Sequence, residues 1–89
     1  MNWHKFSQEI LDKFPGTSFL SQRRNEEYLL VPKTQMKEAA QLLTQWGAVL
    51  STMIATDERQ IRGLFRLYYV FSLDEEDRFI NLVVDIAEP

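Results

Sequence analysis

The 89 residues carry a formal net charge of −3, a hydrophobic share of 45% and an aromatic share of 12%, which leaves room for one core and exceeds what disordered segments carry. The absence of cysteine and the single histidine, His4, exclude disulfides, thiolate nucleophiles, cysteine-held iron–sulfur clusters and the usual ligand sets of zinc or nickel. An acidic balance with scattered arginines gives no broad attraction to nucleic acid or anionic lipid; the longest apolar runs, such as 67–71, are far below the ~20 residues that span a bilayer, and no signal-peptide pattern opens the chain.

Trp3, Phe6, Ile10 and Phe14 recur at helical spacing with Leu11 beside them, until Pro15-Gly16 stops the run; this predicts a short amphipathic helix. Two strands, Ser18 to Ser21 and Glu27 to Val31, follow as a hairpin across Gln22-Arg23-Arg24-Asn25. Pro32 and Thr34 open a second helix, with Thr34 as expected N-cap, a stripe of Met36, Ala39, Ala40, Leu43 and Trp46, and Gly47 at the C′ position. Three strands then run from Ala48 to Thr56, Leu64 to Leu73 and Phe79 to Ile86. Their connections are short, which suits an antiparallel meander.

Alternation puts Phe65, Leu67, Tyr69, Phe71 and Leu73 on one face with Ile80, Leu82, Val84 and Ile86, and that face is expected to meet the helices. The opposite face holds Leu64, Arg66, Tyr68, Val70 and Ser72 beside Phe79, Asn81, Val83 and Asp85. It is more apolar than a solvated sheet face requires, so partial cover by a partner is expected. The expected fold is α+β, two helices on one face of a mainly antiparallel sheet of four to five strands, in a single domain spanning 1–89.

No constellation gives a specific catalytic signal. Asp57 and Glu58 would point to opposite sides of a continuing strand, so Thr56-Asp57-Glu58-Arg59 reads as a turn or Arg-paired structural site rather than a general acid/base pair. His4 lies on the polar side of the first helix with no partner identifiable from sequence. Asp74-Glu75-Glu76-Asp77 lacks the spaced ligands and glycine of a calcium loop and reads as a solvated tip. Arg23-Arg24 lies beside Glu26-Glu27 as locally neutralised charge, and the glycines form no phosphate cradle.

Leu29-Leu30-Val31-Pro32, Trp46-Gly47-Ala48, Met53-Ile54-Ala55-Thr56-Asp57-Glu58-Arg59 and the run 64–71 together resemble the thirty-kilodalton subunit family of respiratory complex I (the NADH dehydrogenase 30 kDa subunit). Within it, the form is most similar to the N-terminal part of membrane-bound nickel–iron hydrogenase and formate hydrogenlyase large subunits, over roughly residues 26 to 89. The resemblance implies a non-catalytic assembly domain, peripheral on the cytoplasmic side of the membrane and packed against a large subunit. Nickel–iron and iron–sulfur centres are then implied in partner subunits or in a missing segment, and none in this chain. Because the family continues past the last strand, the resemblance also implies a domain truncated near Pro89. Asp57 and Arg59 match its turn motif and Tyr68 its strand motif; with Val70 they are the candidate interface or turn-stabilising residues. Two other functions stay open, a stand-alone interaction or regulatory domain, homodimeric through the Tyr68 and Val70 face or an edge strand, and a small enzyme using Asp57 or Glu58.

Overall fold

The computed structural model describes residues 4–73 and 77–87, with side chains from residue 6 onward. In chain order the elements are α1 (His4–Lys13), β1 (Ser18–Arg23), β2 (Glu26–Leu30), a 3-10 turn (Lys33–Gln35), α2 (Met36–Gln45), β3 (Val49–Glu58), the one-turn helix α3 (Arg59–Arg62), β4 (Leu64–Leu73) and β5 (Arg78–Ala87). The strands form one sheet in the order β1-β2-β5-β4-β3. Ile10 of α1 and Met36, Ala39 and Leu43 of α2 are buried with Leu29, Phe71, Leu73, Ile80, Leu82 and Val84, so both helices cover one face, as the alternation requires.

The hairpin and the meander are both present, and what joins them is a parallel pair. β2 lies beside β5 with Glu26 opposite Phe79 and Leu30 opposite Val83; every other neighbouring pair is antiparallel. Backbone bonds pin the seam at both ends, Phe79 N to Asn25 O at 2.8 Å and Val31 N to Val83 O at 2.8 Å. β5 thereby becomes the central strand. Its apolar run Leu82-Val83-Val84 is what a strand covered on both faces needs.

Local chemistry sets the helix ends. Thr34 is not the N-cap of α2: the capping residue is Gln35, whose side chain makes no capping bond. Pro32 is held at φ −56°, and Gln35 N bonds to Pro32 O at 2.9 Å, so a tight backbone turn takes the place of a hydroxyl cap. At the other end Ala48 N reaches Leu43 O and Gly47 N reaches Thr44 O, both at 3.0 Å, the paired bonds of a Schellman motif. Gly47 has φ 95°, a conformation that glycine adopts without steric cost. Ala48 therefore belongs to the cap, and β3 starts one residue later than its expected strand and runs two residues further. Gly16 is constrained twice, by φ 94° and by the Pro32 ring, whose Cγ would lie 3.1 Å from an added Cβ.

α1 is fastened from two sides. Phe6 stacks on Trp46 with centroids 4.8 Å apart, and the Ser7 hydroxyl donates to the Glu27 carboxylate, both residues being buried. Phe65 is outside the helix-covered core; the Arg59 guanidinium lies 4.9 Å from its ring centroid instead. The expected positions of Trp3 and of the Asp74-Glu75-Glu76 stretch fall outside the described residues; Asp77, which follows, has φ 51°.

Candidate functional site

The helix-free face is concave and partly covered by its own side chains. Tyr28 on β2 and Tyr68 on β4 flank β5, opposite Asn81 and Val83 respectively. Two strand spacings are about 9.6 Å, yet the rings meet edge to face at 6.3 Å, so both lean inward across β5. Beneath them Asn81 and Val83 are 2% and 0% exposed. Part of the apolar surplus expected to await a partner is thus covered from within.

Arg66 closes the lower end of this face. It stands directly opposite Asp85 in the β4–β5 register and binds it in a fork, Nε to Oδ1 at 2.7 Å and one terminal nitrogen to Oδ2 at 3.3 Å. Arg66 is 8% exposed, and the hydrogen bond to Asp85 raises its pKa further above the ordinary arginine value. A groove of about 660 Å³ remains above, walled by Leu20 and Arg23 on the hairpin side and by Ile54 and Arg62 on the other, with Tyr28 and Tyr68 on its floor. Burial, followed by the Glu26 charge and hydrogen bond, raises the Tyr28 phenol above its usual value.

The second cluster sits where β3 turns through α3 into β4. The strand continues through Glu58, so neighbouring carboxylates diverge as the alternation requires. Asp57 takes Arg59 Nε at 2.9 Å, its second nitrogen at 2.8 Å and its backbone N–H at 3.1 Å. Those bonds, led by the guanidinium, hold the Asp57 carboxyl below its usual range. On the other side Glu58 accepts from Thr56 Oγ1 at 2.6 Å, Arg62 Nε at 2.8 Å and Tyr68 Oη at 3.4 Å, the Thr56 bond first among the causes that lower its pKa. Ile61 of α3 is 80% exposed.

The four singled-out residues therefore divide. Tyr68 and Val70 line the groove; Asp57 and Arg59 form an exposed ion pair at the turn, and Glu58 links the regions through Thr56, Tyr68 and Arg62. Both carboxylates of the turn are committed to structural hydrogen bonds and stay ionised at neutral pH, which disfavours either as a general acid. The His4 side chain lies outside the described ones. Among the described residues no three His, Cys, Asp or Glu side chains converge on a cation position, and no helix is long and apolar enough to cross a membrane.

Two pairs escaped the sequence reading. Arg66 and Asp85 were placed on one face, and counting back along the β4–β5 hairpin would have set them opposite each other. Ser7–Glu27 had no signal in the sequence, because it depends on where α1 lands.

No family model matches this sequence, nor does any curated protein. The fold does have solved counterparts. One is a chain from the membrane-bound sulfane sulfur reductase, described as an archaeal respiratory membrane complex, with a TM-score of 0.80 and 16% identity over 98% of this chain. This chain spans about half of that one, 51%. The shared fold extends through all the described elements, α1 included, beyond the region that carried the sequence resemblance.

Proposed function

We propose that this chain is a non-catalytic structural domain of a complex I-like or energy-converting hydrogenase assembly of the formate hydrogenlyase type, docked on a large subunit. The single observation that carries the reading is the fold shared at TM-score 0.80 across 98% of the chain with a respiratory membrane complex component, which agrees with the sequence resemblance to the thirty-kilodalton subunit family. The side-chain inventory supports it: without cysteine, the chain has no thiolate ligands for the iron–sulfur and nickel–iron centres that such assemblies use. Those centres belong to partner subunits or to a segment beyond this domain. In this reading the chain is held peripherally, on the cytoplasmic side, through its partners.

The docking surface is the helix-free groove, lined by Tyr68 and Val70, together with the adjoining turn at one end of the sheet, which carries the Asp57–Arg59 ion pair and the exposed Ile61. Affinity purification of the native gene product from its own host, with mass spectrometry of what copurifies, tests this. Recovery of a large subunit, fused or associated, is expected. Recovery of the chain alone, at native expression and low salt, overturns it.

A further inference from the structure

β3 is an edge strand of ten residues with no buried position. It is paired only with β4, and among the described residues nothing is hydrogen-bonded to its outer side. Val49, Leu50, Met53 and Ile54 are each about half exposed, and from Gly47 to Thr56 the chain carries no charge and no proline. Natural sheets guard such an edge with lysine, proline or a covering loop. Here the single irregularity is a bulge at Ser51, between Leu50 and Thr52, and the ladder beyond it is regular.

We propose that the outer edge of β3 pairs antiparallel with β3 of a second copy of this chain, joining the two sheets about a two-fold axis at Ile54. This goes beyond the assembly role and does not depend on it.

Three features select this occupant and geometry. The charges of the strand, Asp57 and Glu58, with Arg59 following, are all at one end. A parallel partner would set each beside its own copy, whereas antiparallel pairing sends the charged ends to opposite extremities. The alternation is self-matching as well. Thr52, Ile54 and Thr56 share the helix-free face with Val70, Tyr68 and Arg66, and Met53 and Ala55 share the helix face with Tyr69 and Leu67. With the axis at Ile54, Ile54 meets Ile54, Met53 meets Ala55 and Thr52 meets Thr56, each pair on one face, with both bulges outside the ladder. Finally, a β3–β3 contact closes after two copies. The other edge, β1, has six residues with its bulge between Phe19 and Ser21, and pairing it with β3 would propagate an open fibre.

The contact area sets the strength. An edge about 34 Å long on a sheet about 10 Å thick covers at most ~350 Å² per copy, less than half of the ~800 Å² typical of a stable interface. The dimer is accordingly weak and visible only at high concentration.

Sedimentation velocity of the full chain from about 10 μM to about 1 mM reads this directly. The mass should rise from 10.5 kDa toward twice that value. Ile54→Lys, and separately Ile54→Glu, should weaken dimerisation at least ~10-fold with melting temperature unchanged, each setting two like charges directly opposite one another at the axis. Ile61→Lys, off the edge, should leave it intact. A monomer at every concentration overturns the proposal, as does a dimer indifferent to both edge variants. Protection of β3 amides from exchange that appears only with a copurified large subunit assigns the edge to that partner instead, and equally overturns it. The assembly role fails separately, if nothing copurifies.

Discussion

β5 and β3 are both ten-residue strands rich in aliphatic side chains, and they have opposite fates. Positions 80 to 84 of β5 are all buried, while no residue of β3 is. β5 lies in the middle of the sheet, under both helices on one face and under Tyr28 and Tyr68 on the other. β3 hangs beyond the helices at the rim. Apolar content is therefore no measure of burial in this fold; position in the strand order decides it. The covered half carries the stability, and the open half keeps the surface available for contact.

The largest test of that division is truncation on each side. Leu82→Ala should cost about 3 kcal/mol in denaturant unfolding, and Met53→Ala should stay within about 0.5 kcal/mol. Amides of β3 should also exchange faster than those of β5. Similar costs for both substitutions would mean that β3 is packed in the free chain.

Next in size is the buried fork at the lower end of the groove. Asp85→Asn leaves Arg66 charged and 8% exposed without its carboxylate, and a loss of about 2 kcal/mol is expected, below the ~3–5 kcal/mol for a fully buried pair because the Asp85 side chain is itself 28% exposed. Adding Arg66→Met should recover most of it, measured by the same unfolding curves. Gly47→Ala, which forces alanine into φ 95°, should cost about 1 kcal/mol and lower the melting temperature without altering the exposed rim.

The smallest effect lies in the turn. The Asp57 and Glu58 carboxyls are held below their ordinary values, so the stability from their pairs is fully present above about pH 4.5, the ordinary carboxylate range. It is lost as pH falls through the lowered values. An Asp57→Asn, Glu58→Gln variant should melt slightly below the parent chain at pH 7 and coincide with it near pH 2, in thermal scans across that range. A gap that persists at pH 2 would mean that packing, and not charge, holds the turn.

Much of this architecture was legible in advance. The apolar spacing in 6–14 and 36–46, the polar turn 22–25, the glycine after Trp46 and the alternation in 65–86 depend on residues close in the chain, and α1, α2, the hairpin and the meander follow from them, whereas the one-turn α3 was read only as a turn. The same alternation placed Tyr68 and Val70 on one face and separated Asp57 from Glu58. The start of α2 was misread because a 3-10 turn occupies Lys33–Gln35 ahead of it, and the amides of Gln35 and Met36 go to the backbone carbonyls of Pro32 and Lys33 rather than to the Thr34 hydroxyl.

The sequence by itself determined the element types, their faces and the lack of cysteine ligands, because periodicity, turn residues and composition are local properties. Only the tertiary structure decided that β2 lies parallel to β5, that Ser7 meets Glu27, that two tyrosines lean across the central strand and that β3 is left at the rim. Each of these joins residues far apart in the chain. Their pairing energy exists only once the sheet has assembled, and no local pattern encodes which distant strand arrives as neighbour.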